Sequence, residues 1–311
     1  FNDIKRTDKQ KGVFGELSMD LSETLELTVG ARWYDIEVDF EGSANSSFYN
    51  GFGAPDTQQF GSNLSAQYAP GNANGYPDKA ASDGVIGKAT LAWNKSEDVM
   101  MYVTWSEGFR PGLLNRPVGS TNADGSYTVK PEVESDEVTN YEFGWKAVLS
   151  DGALRFNGSV FMVDVSGLQS TIFDPSIVNL FFSDNAADAE ILGAEGDFTY
   201  LTENGLIVSG AFSLLDTEIT KSLVPTDDVV VGSKLAFAPG FQANLGLRKE
   251  WGMSSGNLGH WQAQFVHSRK SFSDIMAPNK ATQAPYSYGN FRAGMSNDSW
   301  MAEIYINNVT D

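Results

Sequence analysis

The amino-acid sequence predicts an all-β protein: antiparallel strands running up and down, of a length that suits a transmembrane β-barrel. Three observations point there. Apolar and polar residues alternate with a period of two in about a dozen runs. The connections between runs are short and long by turns. Tryptophans sit on the apolar positions, many of them near strand ends.

The first run, Lys11–Leu21, sets Val13, Gly15, Leu17, Met19 and Leu21 against Glu16, Ser18 and Asp20. In the second, Leu25–Phe40, Leu25, Leu27, Val29, Ala31 and Trp33 oppose Glu26, Thr28, Gly30, Arg32 and Tyr34. Gly84–Trp93 and Val99–Phe109 follow. Tyr141–Leu149 and Leu154–Met162 form a hairpin about Ser150-Asp151-Gly152, with Tyr141, Phe143, Trp145, Phe156 and Val160 on its apolar side. Asp188–Leu201, Leu206–Thr220, Phe241–Trp251, Leu258–Lys270, Tyr286–Met295 and Trp300–Val309 complete the series. Several runs exceed the usual soluble strand of about 5–6 residues. A tilted membrane-crossing strand needs about 9–11.

The short connections carry turn chemistry: Ser22-Glu23-Thr24, Asn94 to Asp98, Ser150-Asp151-Gly152, Thr202 to Gly205, Gly252 to Asn257 and Ser296 to Ser299. The long ones are Glu41–Ser82, Arg110–Ser135, Phe173–Asn185, Lys221–Pro239 and Ser271–Pro285. Hairpins tight at one end and extended at the other are the anatomy of outer-membrane barrels.

Composition narrows the function. The 311 residues include no cysteine, which removes thiolate metal sites, disulfides and cysteine nucleophiles. With 40 acidic against 21 basic residues, a nucleic-acid partner is excluded on charge. His260 and His267 stand seven apart in one run, so they point to opposite faces and do not share a metal. No nucleophile elbow, metal-binding helix motif or phosphate-cradling loop is present, so neither an enzyme nor a cofactor is expected. No run of about 18 uncharged apolar residues offers a membrane helix, which leaves barrels untouched.

The polar positions gather Glu16, Arg32, Lys88, Glu142, Lys146, Arg155, Glu195, Asp197, Arg248, Arg292 and Glu303 in mid-strand. In a barrel they line the lumen. In a soluble sheet they are its wet surface, and alternation by itself does not choose between the two.

Four segments in order resemble the C-terminal part of the barrel of TonB-dependent outer-membrane receptors. Tyr102–Pro117 is similar to a strand ending in Ser-x-Gly-Phe-Arg-x-Gly-x-x-Asn. Lys130–Gln169 is similar to a segment in which Lys-Pro-Glu leads into Tyr-Glu-x-Gly-x-Lys, a turn and a strand ending near Gln. Asn185–Leu201 is similar to Asn-x-x-x-Ala-x-x-x-Gly-x-Glu. Tyr305–Asp311 is similar to a late Asn-Leu-Phe-Asp motif, with Val309-Thr310 in place of Leu-Phe. The resemblance implies about twelve strands of a 22-stranded barrel in a Gram-negative outer membrane. It implies active uptake of a large nutrient such as a ferric siderophore, driven by a TonB-type protein through an N-terminal plug. On this reading Phe1–Asp311 is a single partial barrel domain. The plug, the early strands and the last strand lie outside it.

Arg110, at the outer mouth, is the candidate for pairing with an anionic ligand, or else for bonding its own loop. Tyr49, Phe52 and Tyr68, among other aromatics of the first long loop, are candidates for stacking on a ligand or for packing that loop. Two other classes remain: a passive porin-like or adhesive barrel, and a soluble secreted carbohydrate-binding β-protein, in which the aromatic face would be a buried core.

Overall fold

The structure is a computed structural model that describes residues 2–44, 66–68, 78–115, 129–174, 178–224 and 227–309. Its strands are β1 (Asn2–Ser22), β2 (Leu25–Ala44), β3 (Ala66–Tyr68), β4 (Lys79–Ser96), β5 (Val99–Arg110), β6 (Leu113–Leu114), β7 (Glu132–Val133), β8 (Asp136–Leu149) and β9 (Leu154–Asp174). They continue as β10 (Val178–Leu201), β11 (Leu206–Ser222), β12 (Phe241–Gly252), β13 (Leu258–Ser268), β14 (Ser271–Phe272), β15 (Thr282–Gln283), β16 (Tyr286–Ser296) and β17 (Met301–Ile306). Twelve long strands pair antiparallel, each with the next long strand along the chain, from β1 at one edge to β17 at the other. β3 adds to β2, while β6–β7 and β14–β15 are separate two-stranded ribbons. This is the predicted up-and-down topology.

The short connections turn tightly, as their residues dictate. Ser150, Asp151 and Gly152 take φ of 54°, 53° and 87°, and Gly205 and Gly256 take 77° and 82°. Left-handed backbone suits Gly at no cost and Asp at little, and it matches the twist of a hairpin.

Several predicted boundaries move outward along their strands. β1 begins at Asn2 where the pattern predicts Lys11, and β10 begins at Val178 where it predicts Asp188. Phe173–Asn185, expected as a loop, is mostly the continuation of the β9–β10 ladder, with Phe173 opposite Phe181 and Gln169 opposite Asn185. The strands outrun the apolar pattern from which they were read.

The physical reason lies in the faces. Register places Val13, Trp33 and Val85 in one row on one face, all exposed (69%, 43% and 65%). Two residues beyond, on that same face, the row is Lys11, Asp35 and Asp83, and the next holds Lys9 and Glu37. Lys11 Nζ bonds Asp35 Oδ2 at 2.8 Å and Lys9 Nζ bonds Glu37 Oε1 at 2.8 Å. The Lys9 hydrogen bond, with Lys79 adding to it, holds the Glu37 carboxyl below its usual range and keeps Lys9 above its own. The opposite face changes in the reverse sense. Gly30 and Arg32 give way to Tyr34, Ile36, Val38 and Phe40, all buried. β11 repeats this: Leu206, Val208, Phe212 and Leu214 lead to Asp216 and Glu218, while behind them Ser209 and Ser213 lead to buried Thr217 and Ile219. On β9, Val160 and Met162 lead to Asp164. Asp164, Glu190 and Glu218 then stand opposite one another across three strands.

Both faces therefore swap polarity at one point along each of β2, β9 and β11. Below it the apolar face runs through residues 25–33 of β2, 154–162 of β9 and 206–214 of β11. Those stretches match the roughly 9–11 residues of a tilted membrane strand. A sheet in a soluble sandwich keeps one face toward one core throughout. Here no layer among the described residues covers the apolar band. Val103, Phe143, Leu245 and Phe265 remain exposed on it. Among the described residues the aromatic face is exposed, where the soluble carbohydrate-binding alternative expects a buried core.

The buried core lies on the opposite face, at the loop end. Ile172, Phe182, Ala186, Ala187 and Ile219 of the strands meet Val129, Val229, Ile275 and Met276 of the loops. Val229 and Met276 also pair by their backbones. Both long loops, in residues 227–240 and 269–285, are thus tied to the sheet and to each other.

A second device repeats across the ladder. Aromatic rings lie flat over directly opposed glycines: Tyr102 over Gly144, Trp145 over Gly158, Phe161 over Gly193, Phe198 over Gly210 and Trp251 over Gly259. A Cβ at Gly210 would stand 2.7 Å from the Phe198 ring, and one at Gly259 2.6 Å from the Trp251 ring. The glycine loses strand propensity, and the ring's contact offsets it.

Two predictions follow from these faces. Val103→Arg, on the apolar band, should cost about 2–4 kcal/mol of folding free energy in lipid vesicles, whereas Thr104→Arg, on the polar side, should cost under about 1 kcal/mol. Urea titration checks both, and equal costs would deny that the band faces lipid. Gly193→Ala should cost about 1–3 kcal/mol by overpacking. Adding Phe161→Ala should recover part of that loss, so the double variant should be less destabilised than the sum of the singles.

Candidate functional site at the loop end

The site is built where β5, β8, β9 and β10 leave the apolar band. Arg110 closes β5 opposite Asp136, which opens β8. The Asp136 side chain is buried and accepts four donors. Arg110 Nε reaches Oδ2 at 2.9 Å and Arg110 Nη2 makes a second, closer bond to it. The Arg110 backbone N–H reaches Oδ1 at 3.0 Å, and the Gln169 backbone N–H reaches Oδ2 at 3.3 Å. Arg110 Nη2 also donates to the Gln169 carbonyl at 2.8 Å. A carboxylate this deep is stable only with such a shell.

From this pair the bonds spread. Gln169 Nε2 donates to the carbonyls of Pro111 and Glu134, each at 2.9 Å. Asn185 Nδ2 donates to the Glu134 and Gly167 carbonyls, and its Oδ1 accepts from the Glu134 N–H at 2.9 Å. Asn115 bridges the loop to β10: its Nδ2 donates to the Ser183 carbonyl at 2.7 Å and its Oδ1 accepts from the Ser183 N–H at 2.8 Å. Gly112 lies so close to the Val133 carbonyl that a Cβ would stand 2.7 Å from it. Gly167, at φ 65°, breaks the β9 register, and its N–H donates to Asp188 Oδ1 at 2.8 Å. So Arg110, Gly112, Asn115, Gln169 and Asn185, scattered along the quoted sequence motifs, meet in one network that welds the β5–β8 loop to the wall. The motif patterns contain these five. They give no sign of Asp136, the buried acceptor at the centre.

Arg110 is nevertheless half exposed (52%), and its Nη1 has no partner among the described residues. It lines a cleft of about 660 Å³ together with Gln169, Phe181, Phe237, Asp274 and Ile275, among others. Of the loop aromatics singled out, Tyr49 and Phe52 lie outside the described residues. Tyr68 ends β3, its backbone opposite Gly42.

The eleven polar positions share one face, since register links them row by row: Glu16 with Gly30 and Lys88, Gln262 with Arg292, Gly294 with Glu303. Several bond across strands. Lys88 Nζ meets Glu16 Oε2 at 3.4 Å, Asn157 Nδ2 meets Asp197, Arg248 Nη1 meets Gln262 at 3.1 Å, and the Tyr102 hydroxyl donates to Glu142. Buried His260 bonds Glu303 at 2.7 Å. Arg32, Lys146, Arg155 and Arg292 make no ion pair among the described residues. The two histidines fall on opposite faces, and no cluster among the described residues could hold a metal ion.

Asp136→Asn should weaken the network by about 2 kcal/mol, because hydrogen bonds to a charged acceptor are the strong ones. Amide hydrogen exchange checks it: Arg110 and Gln169 should lose protection while the amides of β12 and β13 keep theirs. Unchanged exchange at Gln169 would show that Asp136 does not hold the loop.

Comparison with known proteins fits this geometry. The chain aligns in fold with the ferric yersiniabactin uptake receptor FyuA from Yersinia pestis at a TM-score of 0.74 and 15% identity, covering 99% of this chain and 41% of that one. The siderophore receptor PiuA from Acinetobacter baumannii gives 0.68 and 19%, covering 99% and 40%. The copper transporter OprC gives 0.69 and 15%, covering 98% and 42%. The chain thus spans about two fifths of the length of these solved structures. The family model for the TonB-dependent receptor-like β-barrel matches residues 1–309, and the chain belongs to that family.

Proposed function

We propose that this chain is wall and roof of an outer-membrane importer that captures a large nutrient, a ferric siderophore in the first instance, and passes it inward with energy from a TonB-type protein. The polarity swap carries the reading. It supports a lipid-facing band of fixed height, a wet inner wall and loops packed inward above it. Among the described residues no catalytic constellation competes with this, and the reading is of a receptor, not an enzyme.

The inner wall supports a filled lumen. Four cations without an ion-pair partner among the described residues, Arg32, Lys146, Arg155 and Arg292, stand on the polar face. A plug placed there would meet them with carboxylates. Energy from the inner membrane would act through that plug. The loop-end cleft would make the first contact with ligand, with the free edge of Arg110 facing an anionic group and Tyr49, Phe52 and Tyr68 contributing from the first long loop.

Uptake of labelled ferric chelate by cells producing the intact receptor should stop when a protonophore collapses the inner-membrane gradient, while binding at the cell surface persists. Uptake that continues without the gradient would establish a passive channel instead. No difference in growth on ferric chelates after deletion would remove the siderophore assignment.

A further inference from the structure

Phe237 is held in a way that packing does not explain. Its φ is 55°, the left-handed region that bulky side chains avoid. The residue is 76% exposed, and its ring stacks on no other ring among the described residues. An exposed aromatic in a strained backbone forgoes burial and adds a conformational cost. Glycine would remove both penalties, and the same loop uses one at Gly232, φ 84°, where only a turn is needed.

The position is also fixed. The Phe237 N–H donates to the Phe272 carbonyl at 2.7 Å, two residues after the Leu235 N–H donates to Thr217 Oγ1 at 3.1 Å. Leu235 and Ala236 pack on the loop-end core. The ring is therefore presented from a rigid base, and it lines the cleft that holds Arg110. Exposed Phe181 lines the same cleft. Strain maintained by a rigid surround at a cleft marks a contact residue.

We propose that Phe237 is a specificity-determining residue: its ring receives a planar aromatic group of the ligand, with an acidic oxygen of that group facing the Nη1 edge of Arg110, which has no partner among the described residues. This rests on the reading that the loop end captures ligand. A flat ring gains most from a fixed ring face. The guanidinium edge adds donors for a carboxylate or phenolate oxygen.

The test uses the intact receptor in detergent and two probes followed by fluorine NMR: 4-fluorobenzoate and its saturated counterpart 4-fluorocyclohexanecarboxylate. The aromatic probe should bind about fivefold more tightly or better. Phe237→Gly should abolish that preference while melting at the same or a higher temperature, because it relieves the backbone. Phe237→Tyr should keep the preference. A lower melting temperature for Phe237→Gly would make the ring a packing element and overturn the proposal. So would a preference that survives the substitution, or none in the unsubstituted protein. Ferrioxamine, a ferric chelate with no aromatic ring, separates this outcome from the wider reading. If ferrioxamine is taken up in an energy-dependent way but the aromatic preference is absent, only the Phe237 assignment fails. If no ferric chelate is taken up, the importer reading fails whatever the probes show.

Discussion

One constraint orders this molecule: along β2, β9 and β11 the outer face changes from apolar to charged within two residues, and the inner face changes in the opposite direction. In hydrocarbon every backbone N–H and C=O must find a partner within the protein, which an unbroken antiparallel ladder provides. The side chains on that outer face must then be apolar over the height of the bilayer. Above it they meet water, and Lys11–Asp35, Lys9–Glu37 and the row Asp164, Glu190, Glu218 follow directly after Val13, Trp33 and Met162. The inner face has no hydrocarbon to avoid. It is polar behind the apolar band and apolar where loops fold over it. Tyr34, Ile36, Val38 and Phe40 belong to that second zone, as do Ile172 and Ile219.

This inversion also sets what could be read without a structure. The turns were legible because Ser150-Asp151-Gly152 and Gly205 need left-handed backbone that few residues accept. The strands within the band were legible because apolar and polar alternate there in a constant phase. Beyond the band the phase reverses, so a reader following one greasy face sees Lys9, Lys11 and Asp188 as the end of a strand. The ladder in fact runs on to Asn2 and Val178. The site was legible only in part. Its glycines and amides stand in recognisable patterns, yet Asp136 is one carboxylate among 40 acidic residues, and only its burial beside Arg110 distinguishes it. Phe237 left no mark in the sequence, since φ cannot be read from an Ala-Phe-Ala-Pro context.

Close approach between strands brings the fold and the site under the same geometry. Tyr102, Trp145 and Phe161 lie over glycines, and at each of these an added Cβ would stand under 3 Å from the ring. Gly112 serves the loop in a similar way, by letting the chain pass against the Val133 carbonyl. Small residues set how tightly layers meet, and polar ones set their register.

The loop end then resolves a conflict that any capturing surface faces. A loop free to move pays ordering entropy when it binds, which lowers affinity. Here residues 227–240 and 269–285 have met that cost on folding, through Val229 against Met276, the Phe237 N–H on the Phe272 carbonyl, and the shared core with Ile172 and Ile219. The β5–β8 loop is anchored separately, by polar bonds to Asp136, Gln169 and Asn185. One side of the cleft is therefore fixed by apolar contact and the other by a buried charge. On the proposed reading a ligand entering between them would meet two preorganised walls, and the loss of either would lower affinity through disorder even where no contact to ligand was removed.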